Sequence, residues 1–229
     1  MPIREIRGSL DKNKMPLQNR VNPFGKIIIS PSRGTLMGNR GVIHKDKKIV
    51  ADFKNKFWIT CDMHYKNTPR VMMVEKRWTE LFFLDEATAF SAGHRPCAYC
   101  RNKDYKLFKN LWITANTEIF GLTEFSIKAI DEILHAERRA KDDSQLTYRA
   151  LLSALPNGVI VQLDGSNDCY LFYNQQLMKW SAFGYSEIRD PSVKSEVTVL
   201  TPRSMVKIFE LGYPCGIHES AKTLLGLYW

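Results

Sequence analysis

The chain has 229 residues, of which 44% are hydrophobic and 25% charged, and carries a formal net charge of +9. This is the composition of an ordinary globular protein with enough sequence for one large domain or two small ones. No apolar run, the longest lying around 81–84, approaches a membrane span, and the basic N-terminus lacks the apolar stretch of a secretory signal.

A cytoplasmic protein is therefore expected, without a membrane partner, in which cysteines stay reduced and Cys-x-x-Cys favours metal over disulfide. The charge is unevenly placed. Residues 1–110 carry 22 Lys and Arg against 10 Asp and Glu, whereas the remainder carries 11 against 14. A basic half gains affinity for a polyanion by releasing counterions from phosphates, although a solvated basic surface is the plainer alternative.

In chain order, residues to about 22 are polar and irregular and suit a flexible arm or an edge strand. Residues 26–30 (KIIIS) form a short buried strand ended by Pro31. The segment 32–41 (SRGTLMGNRG) has the character of a loop. Its three glycines let backbone approach a ligand, and Arg33 and Arg40 supply forks for carboxylate or phosphate. It lacks the Gly-Lys-Ser/Thr of a Walker loop, and a plain turn fits it equally.

Residues 42–44, 49–53 and 57–65 suit strands, with 71–74 as a further partner introduced by the turn 67–69. Alternation over 57–65 places Phe57, Ile59, Cys61, Met63 and Tyr65 on one, inward face and Trp58, Thr60, Asp62 and His64 on the other. Asp85 is placed to cap a helix over 86–92, with Gly93 after its end. A second helix opens at Asn102 or Asp104 and buries Tyr105, Phe108 and Trp112. The clearest helix covers 123–141, its apolar stripe formed by Ile127, Ile130 and Leu134. A fourth is expected over 146–155, ended by Pro156-Asn157-Gly158. Then 158–165, 169–174 and 175–185 are successive strands turned at Asp164-Gly165 and Asn174, followed by a strand over 196–200. Thr201-Pro202 then opens a helix ending at Gly212. Boundaries near 115–123 or 156 would separate a basic half, 1–115, from 116–229.

Cys97 and Cys100 sit two residues apart behind a Gly-His-Arg-Pro turn. Two thiolates on a tight knuckle supply half of a structural zinc site, and the flanking Arg95 and Arg101 offset their charge. A redox pair is the competing reading. Cys61 is the best third ligand, against the alternative of a small buried hydrophobe. For the fourth, His44 can reach Cys61 across a sheet, while His64 makes a Cys-x-x-His with it but points to the other face unless the chain turns at Asp62. His94 suits a supporting or surface role, and Cys169 and Cys215 suit ordinary core or surface thiols.

The segment FFLDEATAFSAGHRPCAYCR, residues 82–101, resembles the second half of the zinc-binding module of the Ada-type DNA alkylation-response proteins. The resemblance assigns Cys97 and Cys100 to the last two ligand positions and Gly93, Arg95 and Pro96 to the turn. The first two ligands of that family form a close cysteine pair, where this chain offers Cys61 and a histidine. No Pro-Cys-His-Arg alkyltransferase sequence follows, so the likeness implies a zinc module on nucleic acid rather than methyl transfer. The chain as a whole also resembles a bacterial family that shares the motif.

Other candidates for chemistry lie in 129–141, where Asp131, His135 and Arg138 fall on one side of a helix. Glu137 with Arg138 can serve as carboxylate and phosphate clamp, although a solvated face with pairs such as Glu137–Lys141 is the commoner arrangement. Asp164 is either catalytic or the corner of a hairpin. Tyr99, Trp78 and Trp58 can stack on bases or belong to the core.

The expected fold is α+β, with a zinc-stabilised strand and helix N-terminal half and a β-rich C-terminal half ending in helices. The leading function is nucleic-acid binding, DNA before RNA, with zinc on His44, Cys61, Cys97 and Cys100 and phosphates on Arg33, Arg40, Arg95 and Arg101. The alternatives are a nuclease- or glycosylase-like enzyme using Glu137 or Asp164, and a protein that binds an acidic partner.

Overall fold

The computed structural model describes residues 15–67, 71–122, 126–140, 145–190 and 195–227. The strands are β1 (Gln18–Val21), β2 (Ile27–Ile29), β3 (Leu36–Asn39), β4 (His44–Lys45), β5 (Lys48–Ile49), β6 (Ile59–Cys61), β7 (Leu81–Phe83) and β8 (Arg95–Pro96), then β9 (Tyr148–Leu151), β10 (Val159–Gln162), β11 (Cys169–Tyr173), β12 (Gln176–Ser181), β13 (Gly184–Arg189) and β14 (Glu196–Val199). The helices are α1 (Glu86–Ser91), α2 (Asn102–Phe120), α3 (Ile127–Arg138), α4 (Arg203–Glu210) and α5 (Glu219–Leu224). The α+β class holds, with a β-rich second half ending in helices.

A first, mixed sheet has the order β2-β1-β7-β3-β6-β8, and a second, antiparallel sheet the order β13-β12-β11-β10-β14-β9. Strands β10 and β11 of the second sheet are buried on both faces, which explains their apolar runs. Val159 and Val161 of β10 face Phe108, Trp112, Ile130 and Leu134 of α2 and α3, whereas Ile160 faces Leu84, Leu171 and Met178. The expected caps form at α1, where Asp85 accepts from the Thr88 N–H at 2.8 Å and Gly93 follows with a positive φ of 77°. α2 runs eight residues past Trp112 and stops at Gly121, whose φ of 58° is the left-handed closure expected after a helix.

Several expectations are corrected. The glycine-rich segment 32–41 contains the inner strand β3 rather than only a loop. A Cβ on Gly38 would lie 2.2 Å from the Ile59 carbonyl oxygen, and one on Gly34 2.3 Å from that of Phe83. Those glycines admit neighbouring backbone, not a ligand. Around β6 the inward face is that of Trp58 and Thr60, both buried, while Phe57 is 53% exposed. Residues 71–77 form turns in place of a strand, with Met73 buried at a φ of 52°.

The helix expected over 146–155 is edge strand β9 followed by a short 3₁₀ turn, Leu152–Ala154. Its residues alternate in exposure, and it pairs with β14 through Ala150 opposite Val197. Thr201 does not cap α4; its hydroxyl accepts from the Ile160 N–H at 3.0 Å. The His218 ring caps α5, its Nδ1 accepting from the Ser220 N–H at 3.2 Å. Residues 1–14, most of the turn expected over 67–69, and both ends of the helix expected over 123–141, with Lys141 of the Glu137–Lys141 pair, lie outside the described residues.

Candidate metal centre

Cys61 ends β6 and Cys97 follows β8. These two strands run parallel, with Thr60 opposite Pro96 and the Cys97 N–H donating to the Thr60 carbonyl at 2.9 Å. Strand pairing therefore sets Cys61 beside the knuckle. The chain then turns, with the Arg101 N–H donating to the Cys97 carbonyl at 3.1 Å, and brings Cys100 back just before α2. The three sulfurs lie within 4.8 Å of one another, Cys61 buried and the other two half-buried. Sulfurs bonded to one tetrahedral zinc at about 2.3 Å stand about 3.8 Å apart, so the arrangement fits a shared metal ion with little movement. No disulfide links them.

The surroundings stabilise negative sulfur at Cys97. The Cys61 thiol, foremost, and the backbone N–H groups of Cys100 and Tyr99 hydrogen-bond to the Cys97 sulfur and lower its pKa to about 5, against the opposing effect of burial. Its hydrogen bond to Cys97, and then burial, push the Cys61 thiol upward. Burial also raises Cys100, opposed by a hydrogen bond from the Asp62 backbone. The cluster thus holds one thiolate solvated by its neighbours, the state from which a metal displaces the remaining protons.

Two buried arginines brace the knuckle. Arg95 makes a two-pronged pair with Asp131 of α3, both bonds 2.7 Å. Arg101 reaches Glu86 of α1 at 2.5 Å, the Thr60 hydroxyl at 2.7 Å and Asp104 at 3.0 Å. These guanidiniums are committed inside the fold and are not presented to phosphates. Arg40 is buried too, its carbon 3.9 Å from the Trp58 ring centre and its Nε donating to His94 Nε2 at 3.3 Å. Of the four arginines expected to contact phosphate, Arg33 alone is exposed.

The histidines divide differently from expectation. His44 is buried on the β4–β5 hairpin with Nδ1 2.7 Å from the Thr79 hydroxyl, outside the three-sulfur cluster. His64 is exposed, and its backbone N–H donates to Asp62, the local turn that strand alternation had left open. His94 is a core residue between Phe83 and Trp58, its pKa held well down by burial and by Arg40 and Arg138.

Glu137 and Asp164 both have structural partners. The Glu137 carboxylate accepts from the Ser204 N–H at 3.0 Å and from its hydroxyl, closing the N-terminus of α4 where Pro202 has no side-chain cap to offer. Burial raises its pKa. Asp164 is exposed and ion-paired to Arg149, which lowers its pKa. The two carboxylates sit on different elements with separate partners.

The outer side of the knuckle carries a feature that motif reading only half finds. Tyr99 is 69% exposed, and the Tyr65 ring meets it edge-on at 5.3 Å. Lys66 Nζ donates to the Tyr99 hydroxyl at 3.3 Å and lies 5.5 Å and 5.7 Å from the centres of the two rings. The spacing of Tyr65-Lys66 four and five residues after Cys61 was the available signal. Comparison with protein-family models, curated proteins and solved structures finds no match to the chain, so the likeness to the Ada-type module stands on residues 82–101 and the metal reading on the thiol geometry.

Proposed function

We propose that the protein binds nucleic acid, DNA before RNA, through a knuckle held rigid by a structural zinc ion on Cys61, Cys97 and Cys100. The convergence of three sulfurs from two strands and a turn carries this reading. Thiolate-rich, tetrahedral sites suit zinc, and among the described residues no carboxylate joins the three sulfurs to favour magnesium or calcium. The fourth position falls to exposed His64 or to solvent rather than to His44, whose ring is tied to Thr79. When bound, zinc would supply cross-linking of β6 to the knuckle; the chain's own residues supply the contact surface.

That surface is exposed Tyr99, half-buried Tyr65 and exposed Lys66, together with the basic bias of residues 1–110. Aromatic faces stack on bases without sequence preference, and lysines supply the salt-dependent attraction to phosphates. Metal analysis is expected to find one zinc per chain, lost in Cys97→Ser. Labelled DNA is expected to be retained at low salt, retained better than RNA, and released steeply as salt rises. A Tyr99→Ala, Lys66→Ala double variant should weaken retention about ten-fold or more with zinc content unchanged. A folded, metal-free protein would sink the zinc centre. Absence of retention at low salt would favour an acidic protein partner, and appearance of a cleaved or base-free product would favour an enzyme.

A further inference from the structure

A cavity of about 470 Å³ lies where the β1–β2 turn, the C-terminal end of α3 and strands β10 and β14 meet. This is the size of a small-molecule site. Among the described residues its wall includes Lys26, Arg138 and Arg139 as cations and Asp52 as a carboxylate. Trp58 forms a further part, and Gln145, Thr147 and Thr198 add polar groups.

Behind that wall lies a further cation. The Arg40 guanidinium lies on Trp58 and 3.8 Å from where a Cβ of Gly25, another wall residue, would stand. Arg138 packs on the same Trp58 ring, also at 3.9 Å. Arg138 donates to the carbonyls of Gly93 and Lys56 and lies 3.2 Å from His135 Nδ1, all neutral partners. Arg40 Nη2 and Arg138 Nε are buried with no hydrogen-bond partner among the described residues, and so is the Oε1 of Gln145 on the wall. Asp52, whose charge acts on Arg40, pairs with Arg139 at 3.1 Å. Burial lowers the pKa of Arg40 to about 9. Burying a guanidinium without a carboxylate is costly, and the cost is offset when an anion enters the adjoining low-dielectric space.

We propose that this cavity binds a small phosphomonoester of about nucleotide size, its dianionic phosphate facing Lys26 and Arg138 in the field of buried Arg40. Lys26 and Arg138 on the wall, with buried Arg40 behind them, favour a doubly charged phosphate over a single carboxylate. The room left beyond a phosphate suits a sugar or nucleoside, with Gln145, Thr147 and Thr198 as partners for its hydroxyls. The proposal does not depend on the zinc knuckle.

Calorimetric titration of the zinc-loaded full chain at low salt tests it, with orthophosphate, ribose 5-phosphate and adenosine monophosphate as probes and adenosine and succinate as controls. Saturable binding of the phosphates, and none of adenosine, is expected. Thr147→Trp, which fills the cavity from an exposed position, and Lys26→Ala should each weaken binding about ten-fold or more while the melting temperature holds. Tyr99→Ala, which alters the knuckle alone, should leave it unchanged. Three results would overturn the proposal: no saturable phosphate binding, binding indifferent to both cavity variants, or loss of binding in Tyr99→Ala. Succinate binding as tightly as adenosine monophosphate would overturn the phosphate assignment.

Discussion

The Cys97 sulfur collects hydrogen bonds from the Cys61 thiol and from the backbone N–H groups of Cys100 and Tyr99, and its pKa falls to about 5. The other four cysteines lack that convergence. Burial pushes Cys169 up to about 12 and Cys215 well above its ordinary value, while Cys61 and Cys100 are also raised. Thiolate, not thiol, is the nucleophile, so reactivity in chelator-stripped protein should rank by these environments. At about pH 6.5 Cys97 lies above its pKa and is ionised, whereas its neighbours are protonated. Iodoacetamide is therefore expected to modify Cys97 first, read as the first carbamidomethylated peptide by mass spectrometry, and zinc should suppress the reaction. First modification at Cys100 or Cys215 would show that the hydrogen bonds do not localise the charge as described.

α3 connects this centre to the rest of the fold through one face. Asp131 holds Arg95, the His135 ring meets Phe53 at 4.9 Å, and Arg138 packs on Trp58. Both side chains of the Arg95–Asp131 pair are only 7% exposed. Removing one partner of such a pair leaves an uncompensated buried charge, at about 3–5 kcal/mol. Asp131→Ala is expected to lose that much stability by urea denaturation, and Arg95→Met with Asp131→Leu much less; equal losses would mean that packing rather than charge dominates. The i, i+4, i+7 spacing of Asp131, His135 and Arg138 was legible in sequence, and so was the apolar stripe of Ile130 and Leu134. What that polar face contacts was not, because Arg95 and Trp58 come from distant strands. Periodicity likewise recovered β10, β11, β12 and β14 of the second sheet, whose apolar runs are long, but read β12 and the start of β13 as one strand over 175–185. It failed at β3, where Gly38 serves the Ile59 backbone across the sheet, a tertiary reason with no local signature. It failed also at β9, a half-buried edge strand rich in residues that suit a helix equally. Cys97 and Cys100 were legible as a pair that could hold a metal because their spacing is local. Cys61 followed from the need for a third thiol, whereas His44 could be placed only by the hairpin that turns it to Thr79.

Across the molecule, the first sheet and α3 meet around imidazoles that are neutral in the folded state. Burial, then Arg138 and Lys56, lower the pKa of His135 from its ordinary value near 6.5 to about 4. Burial with Arg40 and Arg138 holds His94 well below that ordinary value. Between the two values for His135 the unfolded chain binds a proton that the native chain does not. Stability therefore rises with pH across this window, is fully present above about pH 6.5, and is lost as the pH falls toward about 4. Acid also protonates the thiolates, so the comparison belongs in chelator-stripped protein, where metal release contributes nothing to the slope. His135→Gln removes the titration together with the ring contact to Phe53. It is expected to lower the urea midpoint at neutral pH while making the decline from about pH 6.5 to about pH 5 shallower than in the native chain. Parallel declines in the two proteins would mean that His135 gains its proton without opposing the fold. The acid sensitivity would then have to reside elsewhere, with His94 and its contacts to Arg40, Phe83 and Trp58 as the remaining buried imidazole at this junction.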